Sequence, residues 1–410
     1  MLKRLFPQLW ALRGFVTSWA GRAVAFYRRK TMGRGTEPQY GLPVRTVFDF
    51  AGLPDENGVN SVPGSRREAG EQDLDCDKVW SNDPRFLERC RKESRLSWPA
   101  SCAAELTGAH VVGPDGVVVD RQGGFLFEFC RRPGPRPSTK RPYDHPVYTW
   151  LHCETRDCRE GRSLLLSGSS PDVYFHWILD ILPKWELLKG AIGEGGYDRI
   201  IVGGKESKFK KETLTRAGVD LDKVSYLGDQ AISIAVDDLI AVTETGGGNH
   251  FPPQLMSYLK SLFPERDEEA AGERIFFDRK DATRRRLLCP GYREILANQG
   301  FRILDASDFT VAEQASLVRS ASVVSGVHGS AFANLAFAGP GTAVIEVMPG
   351  DYLNPVFWRM GASIGRPYAS VVGRSSGKGT GNILADVILE PEELELALAT
   401  ALEAVTKNGG

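Results

Sequence analysis

Three short stretches of this 410-residue chain carry side chains suited to acid–base or anion chemistry. In PDVYFHWILDILPKWELLK, Asp172, His176, Asp180 and Lys184 recur every four residues. A helix there places them on one polar stripe of an otherwise apolar rod, and Trp177 beside the stripe suggests a cleft. A histidine one helical turn from a carboxylate suits proton abstraction: either Asp180 is the base or it orients His176, and spacing leaves both open. Further on, Asp278-Arg279-Lys280-Asp281-Ala282-Thr283-Arg284-Arg285-Arg286 concentrates guanidinium groups, whose planar fork can clamp a diphosphate. Third, His328, Gly329 and Ser330 sit in a glycine-flanked turn within ASVVSGVHGSAFANLAFAGPGTAVIEVMP. A polar ring between an apolar strand and an apolar helix needs a partner if it is buried.

The elements that must hold these groups follow from periodicity and punctuation. Ser322 to Ser325 reads as a strand, Ser330 to Phe337 as a helix, and Gly339-Pro340-Gly341 stops it before the strand Ala343 to Val347. Strand, tight turn, helix, strand leaves backbone N–H groups at the carboxyl edge of a sheet, where phosphates bind in open α/β folds. The basic loop follows the strand Arg274 to Phe277 and belongs at that same edge. Glu346 ends the next strand there, placed to accept from ribose hydroxyls or to pair with one of the arginines. In the first half, Ser163 to Leu166 is a strand, Ser167 to Ser170 a turn, and the histidine helix runs from Pro171 to about Lys189 with a bend at Pro183. Pro114-Asp115-Gly116 joins two β-rich runs as a hairpin, and Thr310 with Glu313 has the spacing of a capping box. Strands alternate with helices along most of the chain, which predicts parallel, doubly wound sheets.

Composition narrows the class. Apolar residues at 42% and charged ones at 25% are those of a soluble globular protein long enough for two domains. A formal net charge of −1 argues against nucleic acid as a partner. Seven scattered cysteines with no zinc spacing read as reduced thiols of a cytoplasmic protein, Cys153 and Cys158 being the one pair close enough in sequence for a disulfide. Asp73-x-Asp75 and Asp75-x-Asp77 lie in a polar run, not at the end of an apolar strand, and are not read as a metal site. Residues 1–36 hold eight Lys or Arg, no acid, and interleaved Leu, Phe and Trp. Arg13 and Arg22 break every window long enough to span a bilayer, so this stretch is expected to be a basic amphipathic helix on an anionic membrane surface. The run Thr245 to His250, with Asn249 and His250 at its end, reads as a hinge between domains.

Together these segments resemble glycosyltransferase family 61. The resemblance rests on Tyr174-Phe175-His176-Trp177-Ile178-Leu179-Asp180-Ile181-Leu182-Pro183-Lys184, on Asp278 through Arg285, and on His328-Gly329-Ser330-Ala331-Phe332-Ala333-Asn334 through Gly339-Pro340-Gly341 to Glu346, spanning roughly Arg162 to Pro349. Ser330, Asp278 and Cys289-Pro290-Gly291-Tyr292 depart from the family's usual residues. The resemblance implies a GT-B architecture, with two Rossmann-like domains facing a central cleft, and inverting transfer of a sugar from a nucleotide sugar with no metal or other cofactor. It implies donor binding by Arg279, Arg284, Arg285, His328, Gly329, Ser330, Asn334 and Glu346. Catalysis falls to Asp180 and His176, with Tyr174, Trp177, Asn249 and His250 on the acceptor side or hinge.

The expected partition is a basic helix and linker arm at 1–77, an acceptor-side domain at 78–250 and a nucleotide-sugar-binding domain at 251–390. A helix at 391–410 would return to the first domain. The partners so implied are a nucleotide sugar, UDP-linked, and a glycan or lipid-linked glycan acceptor in cell-surface polysaccharide synthesis at the inner face of the membrane. Two other readings fit the same residues: a non-catalytic nucleotide-sugar or polysaccharide-binding protein, and a glycoside hydrolase working through paired carboxylates.

Overall fold

A computed structural model describes residues 44–45, 58–62, 65–130, 154–193, 196–230, 232–246, 250–264, 272–279, 284–377 and 384–408. The basic stretch 1–36, Cys153, Asn249 and residues 280–283 of the arginine loop lie outside them. The chain divides into two compact units, one of residues 1–69 and 99–248, the other of residues 70–98 and 249–410. Among the described residues no helix is long and apolar enough to cross a membrane.

The first unit is built on a mixed sheet. Its parallel half is ordered Ile232–Val242, Arg162–Leu166, Arg199–Val202, Val224–Tyr226. The first three are rich in Ile, Leu and Val and largely buried on both faces, as parallel strands must be, while the edge strand Val224–Tyr226 is only partly covered. The other half is antiparallel: Ala103–Val112 pairs with Ile232–Val242 on one side and with Val117–Val119 through the Pro114-Asp115-Gly116 turn on the other. Parallel pairing holds for one half and the expected hairpin makes the sheet mixed, because a hairpin reverses the chain in a few residues where a parallel connection needs a helix. From Arg162–Leu166 the chain winds outward through Arg199–Val202 and Val224–Tyr226, then returns to the opposite neighbour, Ile232–Val242. The order reverses at Arg162–Leu166, and the crevice at its carboxyl end is where such sheets bind ligands.

The second unit repeats the plan with different strands. Its order is Leu287–Leu288, Val387–Ile388, Tyr368–Ser375, Ala343–Pro349, Val323–Val327, Arg274–Phe277, Phe301–Leu304, with Val79–Ser81 added to Tyr368–Ser375. Arg274–Phe277 is flanked by Phe301–Leu304, which follows it, and by Val323–Val327, to which the chain then returns, so the reversal falls at the ends of Arg274–Phe277 and Val323–Val327. The helix Val311–Ser320 between them starts at the expected capping box of Thr310 and Glu313.

Two assignments along the chain are corrected. Residues 70–98, expected to divide between a linker arm and the first domain, belong to the second unit: Val79–Ser81 extends its sheet, and the helix Pro84–Lys92 stacks Phe86 on Tyr368 with ring centroids 6.0 Å apart. The last helix, Pro391–Asn408, does not return to the first unit. Its Leu394, Leu398, Ala401, Leu402 and Val405 share a core with Val371, Val387 and Ile345, because the period of its apolar residues presents one stripe to the nearest open sheet face.

Candidate active site

In the first unit the crevice is lined by a braced turn and an irregular helix. Ser170 holds a left-handed backbone, φ 57°, rare for a residue with a side chain. Its N–H donates to the Asp115 carboxylate at 3.1 Å, and the Ser167 hydroxyl donates to the Asp115 carbonyl at 2.8 Å, so the hairpin turn fixes the entry to the helix. The helix opens at Tyr174–His176 and widens over Trp177–Ile181 into a π turn, with the Leu182 N–H reaching back to the Trp177 carbonyl. It resumes at Lys184–Ile192, beyond Pro183, which has no N–H to continue the ladder. Wide turns of this kind recur at functional sites.

That irregularity separates the expected four-residue stripe. His176 Nδ1 lies 2.7 Å from Asp180 Oδ2. Asp172 is turned away to accept from Lys210 Nζ and the Lys205 N–H, both at 2.8 Å. Lys184 is wholly buried, its ammonium donating to the carbonyls of Phe129 and Ser167 and to Glu244 at 3.0 Å. Asp172 and Lys184 are thus structural, and the chemistry of the stripe is confined to His176 and Asp180. Asp180 is the more enclosed, its side chain 10% exposed against 19% for His176. Burial by itself lowers the His176 pKa, but the Asp180 hydrogen bond and the negative charges of Asp180, Glu244 and Asp115 outweigh it and leave the imidazole raised above its ordinary value. Trp177, expected on the acceptor side, is fully buried with its indole N–H on Thr213 at 2.8 Å, and is a core residue. Tyr174 stays half-buried, edge-on to Phe209.

In the second unit the arginine loop and the histidine turn meet at the reversal of the sheet. Gly329 is there for space: a Cβ on it would fall 2.1 Å from an Arg279 guanidinium nitrogen. His328 is buried, and its Nδ1 bonds Glu346, which also accepts from the Tyr368 hydroxyl. Glu346 is wholly buried, so the expectation that it binds ribose or an arginine is corrected: it fixes the imidazole of the turn. Asn334 is also buried, its amide donating to Gln314 at 2.7 Å, which makes it a tie between helices and not a donor ligand. Ser330 is half-buried at the first position of the turn of 3₁₀ helix Ser330–Phe337. His250 is half-buried at the entry to the helix Pro253–Leu262.

Arg279, Arg284 and Arg285 form no side-chain hydrogen bond or ion pair among the described residues, although the Nε atoms of Arg279 and Arg285 are buried. Arg285 also carries a left-handed backbone, φ 55°. Burial first, and then the charge of Arg284, hold Arg279 below the usual guanidinium range. Burial, with Arg279 and Arg284 close by, pushes Arg285 down to about 10. Three cations gathered without an ion-pair partner among the described residues describe a place prepared for an anion. The next basic residue, Arg286, is by contrast paired with Asp386 at 2.8 Å, and Asp278 is bound by Tyr292 and Arg293. Sequence reasoning missed Tyr352, Tyr368 and Glu244. Tyr352 and Glu244 follow the strands Ala343–Pro349 and Ile232–Val242 closely enough to be found by that placement alone, whereas nothing local marks Tyr368. Among the described residues no group of three or more His, Cys, Asp or Glu is placed to hold a metal ion.

No curated protein matches the chain. Among solved structures, the metal-soaked Flv1 flavodiiron core from Synechocystis sp. PCC6803 is similar at 7% identity over 75% of this chain, with a TM-score of 0.23. The chain spans 64% of that structure's length, and so low a likeness carries no argument about fold or chemistry. The family model described as Glycosyltransferase 61 matches residues 174–345, a stretch holding the histidine helix, the arginine loop and the histidine turn. Over those residues this chain is similar to glycosyltransferase family 61.

Proposed function

We propose that the protein is an inverting glycosyltransferase that moves a sugar from a UDP-linked donor to a glycan hydroxyl in the synthesis of cell-surface polysaccharide. The observation that carries this reading is the set of three guanidinium groups around the His328 turn, at the reversal of the second sheet, with no side-chain partner among the described residues. Arg279, Arg284 and Arg285 hold the diphosphate, and His328, set by Glu346, adds a hydrogen-bonding contact. Charge that develops on the leaving diphosphate is stabilised by groups already in place, so no metal is needed for that purpose.

In the first unit, His176 is the base. Its Nδ1 is engaged by Asp180, which leaves Nε2 to take the proton of the acceptor hydroxyl. As that oxygen bonds the anomeric carbon, the bond from carbon to the diphosphate oxygen breaks, and its electron pair leaves with the diphosphate. Asp180 stabilises the imidazolium that results. The two units in this reading form a GT-B enzyme, the first serving the acceptor and the second the donor. The basic stretch 1–36 holds it to the anionic inner face of the membrane.

The test is a thermal-shift screen with nucleotides and nucleotide sugars, followed by transfer assays on glycan acceptors with the wild type and His176→Ala. A donor that raises the melting temperature of both proteins but is turned over only by the wild type supports the reading. Full activity in His176→Ala removes the base assignment. Donor binding with no transfer to any acceptor by the wild type favours a binding protein instead.

A further inference from the structure

Tyr352 lies just beyond the strand Ala343–Pro349, at the edge of the sheet where the arginines gather. Its ring stands edge-on to His328, centroids 5.3 Å apart at 83°. It is also within electrostatic reach of Arg285. What matters is the direction of its hydroxyl proton. A phenol oxygen both donates and accepts, so its proton goes wherever its neighbours leave room.

Asn354 decides this. The Val356 N–H donates to Asn354 Oδ1 at 3.1 Å, and since a backbone N–H can only donate, the orientation of the amide is forced. The NH₂ end then donates to the Tyr352 hydroxyl oxygen at 2.9 Å. With that oxygen accepting from Asn354, the Tyr352 O–H must donate elsewhere, and no acceptor for it exists among the described residues.

We propose that Tyr352 is an anion-binding residue, its hydroxyl held by Asn354 as a hydrogen-bond donor to the phosphate group that sits against Arg279, Arg285 and His328. This rests on the donor reading above and extends it: the site offers one neutral donor of fixed direction beside its cations. The guanidinium forks clamp the anion with charge-assisted bonds, and a fixed phenol adds a neutral donor that selects where one more oxygen is placed.

Calorimetry with UDP, uridine and inorganic pyrophosphate tests this on the full chain. Tyr352→Phe keeps the ring and is expected to weaken UDP and pyrophosphate on the order of 10-fold, with uridine unchanged. Asn354→Asp still caps the Val356 N–H but accepts from the phenol, drawing its proton away, so it is expected to weaken UDP by a similar factor although Tyr352 is intact. The double variant Y352F/N354D should then bind UDP no more weakly than N354D, since both changes remove one contact. The proposal is overturned if Y352F binds UDP and pyrophosphate as the wild type does, if it loses uridine equally, or if the two losses add. A wild type that takes pyrophosphate but not UDP removes the uridine donor and leaves Tyr352 to be judged on pyrophosphate. A wild type that takes neither overturns both.

Discussion

Arg285 offers the sharpest separation of stability from function. It is a side-chain-bearing residue in the left-handed region and a half-buried cation whose nearest charged neighbours include two more cations. A left-handed backbone costs an ordinary residue roughly 1 to 2 kcal/mol, which glycine does not incur, although glycine gives back about 0.5 to 1 kcal/mol in chain entropy. Holding the guanidinium near pH 10 places it two to three tenfold steps below its ordinary value, on the order of 3 kcal/mol before solvent screening and about 1 to 2 kcal/mol after it. The sign is fixed: a base whose folded pKa is lowered penalises the fold at every pH below that value, and the penalty is relieved only above about 10. Arg285→Gly should therefore stabilise the unliganded protein by about 1 to 3 kcal/mol, a rise of roughly 2 to 12 °C in melting temperature for a domain of this size. Binding of UDP should fall by a factor on the order of 10 to 100, the worth of a charge-assisted hydrogen bond. Differential scanning calorimetry with and without UDP reads both quantities. A variant that melts lower than the wild type and still binds UDP equally well would refute the reasoning, since Arg285 would then be a structural cation. Opposed shifts are the signature of a strained binding residue.

Other consequences can be checked separately. His176→Ala should lower turnover by about 10²- to 10⁴-fold with donor affinity unchanged. Because the His176 pKa is raised and the base must be neutral, wild-type activity should fall as pH drops through a value above the ordinary histidine range. In Asp180→Asn that limb should move to lower pH, as the carboxylate that holds the proton is gone. The same interaction stabilises the fold fully below the unfolded histidine value and is lost as pH rises through the folded one, so the stability difference between wild type and Asp180→Asn should shrink as pH rises from below the ordinary histidine value through the raised one. Lys184→Met leaves the buried Glu244 carboxylate without its cation and should cost about 3 to 5 kcal/mol in a denaturant titration, most of it recovered when Glu244→Leu is added. Glu346→Gln should weaken UDP about 10-fold while Tyr368→Phe weakens it less, because only the carboxylate touches His328; equal binding by all three proteins would mean that His328 does not meet the anion.

The sequence by itself determined the local devices: the Asp115 hairpin, the Thr310 capping box, the arginine loop and the histidine turn at the carboxyl edge of one sheet, and a histidine one turn from a carboxylate. Each is a rule about neighbours within a few residues, where side-chain period and turn chemistry act without help from the rest of the chain. Only the tertiary structure decided which polar groups face a ligand and which satisfy one another. Asp172 left the stripe because the helix starts only at Tyr174, after it, and Lys184 because a π turn and Pro183 shifted the register. Glu346 and Asn334 were taken up by His328, Tyr368 and Gln314, groups 18 to 22 positions away. A buried polar group must find a partner, and that partner is set by strand order and helix packing, which no local pattern encodes. What remained without partners among the described residues, the guanidinium groups of Arg279, Arg284 and Arg285, marks where the fold left its charge for something else to neutralise.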